Sequence, residues 1–92
     1  MKIRILDLAI QDLEKGRNFY EKQQQDLGEY FLDSMFADIE SLQLYMGIHS
    51  QYLGYYRLLA KRFPYAIYYK VVEMEIQIWR ILDCRAQPTV EL

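Results

Sequence analysis

The residues best suited to chemistry are five cations in the second half of the chain, Arg57, Lys61, Arg62, Lys70 and Arg85, and the chemistry open to them is the handling of phosphate or of acidic protein. Not one Asp or Glu interrupts the stretch between Gly47 and Val72. Cations alone only stabilise negative charge. Breaking a phosphodiester without a metal also needs a base for the attacking hydroxyl and an acid for the leaving oxygen. The sequence offers little for those roles. His49 is the one histidine and falls in a turn, where a lone imidazole on the surface is more often inert. Asp83 ends a strand, where an aspartate usually forms a turn or pairs with a nearby arginine. A tyrosine of unperturbed acidity, near pH 10, is a poor base unless neighbouring cations lower that value. No zinc-ligand spacing, phosphate-binding glycine loop or nucleophile triad occurs, so neither metal nor cofactor is implied. Cys84, the one cysteine, cannot form an internal disulfide, points to a reducing compartment, and is expected to be a small buried or half-buried residue.

Composition places these residues in an ordinary folded protein. Ninety-two residues with 52% apolar and 26% charged content suit one domain, residues 1–92, with a modest core. The opening MKIRILDLAIQD meets charge within a few residues, so no signal-peptide core or membrane span is expected and the cytoplasm is the expected address. The net charge of −2 is unevenly distributed. From Met1 to Met46 five Lys or Arg face nine Asp or Glu; from Gly47 to Leu92 six face four. Such a split suggests an acidic back and a basic working face. The plainer reading is that Lys and Arg protect a sheet edge from aggregation.

The working face needs a scaffold, and the segment Tyr52 to Arg85 supplies it as three consecutive strands of an antiparallel sheet with turns at Lys61–Pro64 and Val72–Glu75. Pro64 has no N–H to give and suits a strand start. Upstream, Lys2 to Leu6 alternates as a short half-buried strand. Asp7 offers an N-cap for an amphipathic helix from Leu8 to about Gln24, with Ala9, Leu13, Gly16 and Tyr20 on its apolar side. Asp26 with Glu29 three residues later resembles a capping box that opens a second helix. That helix carries Leu27, Phe31, Met35, Ile39, Leu42 and Met46 on one stripe, with Gly47 as its left-handed C-terminal cap. The two helices form a hairpin whose apolar face must lie on the sheet.

Alternation in the three strands then separates two faces. Tyr56, Leu58, Ala60, Tyr65, Ile67, Tyr69, Ile76, Ile78 and Leu82 are expected under the helices. Tyr55, Arg57, Leu59, Ala66, Tyr68, Lys70, Gln77, Trp79 and Ile81 are expected on the open side, with Arg57, Tyr68 and Trp79 aligned across neighbouring strands.

The segments GYYRLLAKRFPYAIYYKV and IQIWRILDCRAQP, with DLEKGRNFYEKQ and LGEYFLDSMFADIESL upstream, resemble the RelE/ParE family of bacterial toxins from type II toxin–antitoxin modules, and its ParE-like members more closely. RFPYAIYY is the most specific part. The resemblance implies an α+β fold of order β-α-α-β-β-β, a helical hairpin on one face of a small twisted antiparallel sheet. It also implies a cytoplasmic, plasmid-stabilising toxin neutralised by a cognate antitoxin whose C-terminal segment wraps around it. Members either inhibit DNA gyrase or cut mRNA on the ribosome. Members that cut mRNA carry basic residues on the middle and last strands and a Tyr or His near the C-terminus. Here Ala66 stands at the middle-strand arginine and Asp83 where many relatives place His, while Arg85 matches a family arginine.

Two functions follow from these readings. One is a non-catalytic inhibitor of a macromolecular target, by resemblance gyrase, whose antitoxin- and target-binding candidates are Tyr55, Arg57, Lys61, Arg62, Tyr68, Lys70, Trp79 and Arg85. The other is a ribosome-dependent endoribonuclease, with Arg57, Arg62, Asp83 and Arg85 as catalytic candidates and Arg80 among the arginines that would orient phosphate. The modest net charge favours the first, because a protein that works against dense RNA phosphate is expected to be basic.

Overall fold

The computed structural model describes residues 1–85 and 92. Along the chain run β1 (Lys2–Ile5), α1 (Asp7–Glu21), α2 (Leu27–Glu40), α3 (Leu42–Tyr45), β2 (Gln51–Tyr52), β3 (Tyr55–Leu59), β4 (Tyr65–Val72) and β5 (Glu75–Asp83). The sheet has five strands in the order β1-β5-β4-β3-β2. It is α+β as expected, but the sheet is mixed rather than antiparallel. β1 lies parallel to β5, with Ile3 beside Ile76 and Ile5 beside Ile78, because the helical hairpin carries the chain back over one face before the meander of β2 to β5 begins. The two-residue β2 was not anticipated; Gln51 and Tyr52 pair with Tyr56 and Tyr55 across the turn Leu53–Gly54.

The helices form through their apolar stripes, yet their ends differ from the local capping signals. In α1 the stripe Ala9, Leu13, Gly16 and Tyr20 is buried as expected. Leu6, not Asp7, occupies the N-cap position, and its carbonyl accepts the Ile10 N–H at 3.0 Å. Asp7 sits in the first turn, where a carboxylate favours the positive end of the helix dipole. At the start of α2, Asp26 takes a left-handed φ of 69° and its side chain caps nothing. The free N–H groups are satisfied from the preceding helix instead: Glu21 accepts from the Asp26 N–H at 3.0 Å and the Gly28 N–H at 2.9 Å. Two glycines allow the helices to approach closely. A Cβ at Gly28 would lie 2.7 Å from the Arg17 carbonyl oxygen, and one at Gly16 would lie 2.5 Å from the Phe31 ring.

The expected second helix divides at Ser41, whose hydroxyl donates to the Asp38 carbonyl, a side-chain bond that competes with helix continuation. Its stripe survives the break. Phe31, Met35, Ile39 and Leu42 are buried against Tyr65, Ile67, Tyr69, Ile76, Ile78 and Ile81 of the sheet, with Leu27 and Met46 at the margin. Gly47 follows at φ 84°, as its placement suggested.

A β-bulge corrects the face assignment at the end of β5. Tyr68 pairs with Arg80 and Tyr69 with Ile78, which leaves Trp79 as the extra residue. Beyond that point the alternation inverts. Ile81, expected on the open side, is 1% exposed in the core, while Leu82, expected under the helices, pairs with Ala66 on the other side. The bulge also breaks the expected row, because Arg80 rather than Trp79 stands across from Tyr68.

Candidate functional site

The open side of the sheet holds the candidate site. At its centre the Lys70 ammonium lies 4.5 Å from the centre of the Tyr55 ring and 5.2 Å from that of Trp79, and the two rings meet edge-on at 5.7 Å. The bulge brings Trp79 to this pair. Its indole N–H donates to Gln77 at 3.2 Å, and Gln77 donates to Glu75 at 2.9 Å, so a chain of hydrogen bonds along β5 fixes the ring. Trp79, Tyr55 and Lys70 are all half-buried, with one surface of the cluster in solvent. A cation stacked between rings in this way suits contact with carboxylates or with flat apolar groups.

Sequence reasoning missed two further cations here. Lys2 and Arg4 alternate with Ile3 and Ile5 in β1, and once β1 lies beside β5 both fall on the open face, 4.0 and 3.8 Å from the Glu75 carboxylate. Alternation in KIRI was visible; its neighbour was not.

Arg57 and Tyr68 form a second cluster toward the opposite end. Arg57 Nε donates to the Tyr68 hydroxyl at 3.1 Å and its Nη2 approaches the Cys84 sulfur at 3.7 Å. Tyr68 lies on the face away from the helices, yet it is only 1% exposed, with the Tyr52 ring 6.1 Å away. It supports Arg57 rather than presenting a ring to a partner. Cys84, expected to be buried or half-buried, is exposed in the turn after β5.

The remaining candidates do not join these clusters. Lys61 and Arg62 are exposed in the turn between β3 and β4, where the Lys61 N–H donates to the buried Asp38 carboxylate at 3.1 Å. Arg85 turns toward α1: it grips Asp83 through Nε and Nη2 at 3.1 and 3.0 Å and donates to the Tyr20 hydroxyl at 3.2 Å. That grip holds the Asp83 carboxyl below the usual carboxylate range. Arg80 is engaged by Asp12 of α1 in a two-pronged pair at 2.8 and 2.9 Å, and the same carboxylate accepts the Ile81 N–H at 2.9 Å. This contact clasps α1 to the sheet.

The possible proton-transfer groups are similarly occupied. Burial lowers the His49 pKa, and its Nδ1 is hydrogen-bonded to the Tyr69 hydroxyl, which also accepts the Gly47 N–H at 2.9 Å. Tyr69 is itself pushed up by burial, and Tyr65 is pushed up to about 12 by burial and by Asp83. Among the described residues no group of His, Cys, Asp and Glu could hold a metal ion, and no helix is long and apolar enough to cross a membrane.

On the other side of the molecule, an apolar groove of about 350 Å³ runs between α1 and α2, lined by Ile5, Ile10, Leu13, Leu32 and Phe36 with Glu14 and Arg17 at its rim.

Comparison with known families decides the lineage. The model for the ParE toxin of the type II toxin–antitoxin system parDE matches residues 3–88. The chain belongs to the ParE toxin family. Its fold agrees: a chain from the solved "Chromosomal ParDE TA system from P. aeruginosa" superposes with a TM-score of 0.72 at 25% identity, over 88% of this chain and 92% of that one. No curated protein matches. As a type II family member, this ParE-like toxin has a protein antitoxin as its partner. Of the segment IQIWRILDCRAQP, Ala86 to Pro88 lie outside the described residues.

Proposed function

We propose that this toxin acts by binding rather than by cutting, with DNA gyrase as the target, and that its antitoxin neutralises it in the cytoplasm by laying an acidic segment over the open face of the sheet. The observation that carries the reading is the cluster Tyr55–Lys70–Trp79, flanked by Arg57 on one side and Lys2 and Arg4 on the other. It is a recognition surface, cationic and aromatic, with hydrogen-bonded support behind the Trp79 ring. Lys61, Arg62 and Arg85 extend positive charge around the β3–β4 end, outside the cluster itself. An acidic segment would meet complementary charge across this face, and complementary charge speeds encounter and fixes register.

Catalysis of RNA cleavage would ask the same surface for an acid and a base beside the cations. Asp83 is held ionised by Arg85, which suits it poorly as an acid at neutral pH. Tyr65 and Tyr69 are pushed further from ionisation, not toward it. His49 is tied to Tyr69 on the helix side of the sheet, away from Lys70 and Arg57. These placements support the inhibitor reading.

The test is a pair of assays on the purified toxin freed of antitoxin: supercoiling by gyrase, and cleavage of mRNA on programmed ribosomes. The proposal expects lost supercoiling with intact mRNA. Cleaved mRNA with normal supercoiling would replace it with the nuclease reading, in which Arg57, Arg62, Asp83 and Arg85 are the residues to substitute first.

A further inference from the structure

On the helix side of the sheet, a small cavity of about 230 Å³ opens between α1 and the last residues of β5, with Tyr65 at its inner end. The Tyr65 ring packs 5.0 Å from that of Phe31 and the residue is only 7% exposed, so the side chain belongs to the core apart from its hydroxyl. That hydroxyl points at Gly16, where an added Cβ would lie 3.3 Å from it, and Gly16 lines the same cavity. Among the described residues no group hydrogen-bonds it. A buried hydroxyl without a protein partner is uncommon and marks a place for a further group. Burial pushes its pKa up to about 12, so at neutral pH it keeps a proton to donate.

The rest of the lining narrows the ligand. The acceptors are already engaged, Asp12 by Arg80 and the Ile81 N–H, and Asp83 by Arg85. What remains is a second donor: the Lys15 ammonium borders the cavity, is exposed, and forms no ion pair with any described residue. With Arg80 and Arg85 it sets three cations against the two carboxylates, so the local field favours an anion. Phe19, 48% exposed and edge-on to Tyr20 at 5.1 Å, adds a flat apolar wall, and Ile81 adds another. The volume is below the roughly 300–1,000 Å³ of drug-sized pockets and suits one ring with a short polar arm.

We propose that this cavity binds a carboxylate carried on a flat apolar group, with the carboxylate taken by the Tyr65 hydroxyl and the Lys15 ammonium and the apolar group laid against Phe19. Two free donors match the two oxygens of a carboxylate; a phosphate would leave its remaining charge beside Asp12 and Asp83. A free aromatic acid and a protein chain ending in an aromatic residue both present this chemistry. The site lies across the sheet from Lys70 and Trp79, so it stands apart from the antitoxin reading.

The experiment titrates phenylacetate, and phenylacetamide as its neutral match, into the full chain free of antitoxin, followed by amide NMR. Saturable shifts are expected at Lys15, Gly16, Phe19, Tyr65 and Ile81 with the acid, at about millimolar Kd for so small a ligand. The amide and the Tyr65→Phe variant, which keeps the ring packing, should each bind about tenfold more weakly, the loss of a hydrogen bond to a charged group. Lys15→Gln should weaken the acid by about threefold, as suits an exposed cation. Lys22→Gln, exposed at the end of α1 and outside the cavity lining, leaves it unchanged. The tripeptide alanyl-alanyl-phenylalanine, with a free or an amidated C-terminus, separates the sources: a free peptide that binds more tightly than phenylacetate identifies a chain end, and one that binds more weakly identifies a free acid. No saturable shift at the cavity overturns the proposal. So do equal affinities for phenylacetate and phenylacetamide, or wild-type affinity in Tyr65→Phe and Lys15→Gln variants shown by melting curves to be folded.

Discussion

Replacing Asp12 by Ala removes the clasp between α1 and β5. The carboxylate is 11% exposed and accepts three hydrogen bonds, two from Arg80 and one from the Ile81 N–H. Where β1 ends at Ile5, no strand among the described residues pairs with β5 on that side, and the Ile81 N–H donates to Asp12 instead. Leaving such a buried donor unsatisfied costs about 1–3 kcal/mol. Arg80 is 22% exposed and can recover part of its solvation, so losing the ion pair adds about 1 kcal/mol rather than the full penalty for a buried charge. The expected loss is about 2–4 kcal/mol, a large share of the roughly 5–15 kcal/mol that holds a domain of this size. Urea unfolding followed by tryptophan fluorescence measures it, since Trp79 adjoins the site. Asp12→Asn should lose less, because an amide oxygen can still accept the Ile81 N–H. A loss below about 0.5 kcal/mol for Asp12→Ala, the range of ordinary surface changes, would refute the reasoning.

Three other outcomes are expected. Gly28→Ala puts a methyl group 2.7 Å from the Arg17 carbonyl, so a loss of about 1–3 kcal/mol by urea unfolding should outweigh the gain in helix propensity of about 1 kcal/mol; a more stable variant would show that the helices can part without penalty. Tyr65 is neutral in the fold up to about 12 but ionises from 10.0 once unfolded, so folding stability should decline as pH rises through that window, and Tyr65→Phe should flatten the decline in alkaline melts. For His49 the folded pKa lies below the ordinary 6.5, so the unfolded chain takes up the proton first and stability should drop as pH falls through that value; His49→Gln should reduce the slope of melting temperature against pH there, and an unchanged slope would remove His49 as the cause.

Much of this fold was legible in the sequence because the signals were local. The stripe Ala9, Leu13, Gly16 and Tyr20, the turn at Lys61–Pro64 and the left-handed Gly47 all follow from residue spacing and backbone preference. What was not legible depends on contacts between distant segments. Glu21 caps the next helix across the connection, which no capping box encodes. The bulge at Trp79 is set by how β5 fits β4, and it moved Ile81 into the core and Arg80 to the place expected for Trp79. Arg80 and Arg85 looked available for phosphate, but Asp12 and Asp83 engage them. Lys2 and Arg4 joined the open face only because β1 docks parallel to β5, a pairing between segments about 73 residues apart, as from Arg4 to Gln77, that alternation alone cannot foretell.

The central claim is that the cationic, aromatic side of the sheet receives the antitoxin. Calorimetric titration of the antitoxin into wild type and into an Arg57→Glu, Lys70→Glu double variant, at low and moderate salt, tests it most directly. Affinity should fall at least tenfold in the variant, with most of the difference lost as salt rises. Equal affinities at low salt, in a variant shown by its melting curve to be folded, would place the antitoxin elsewhere on the molecule.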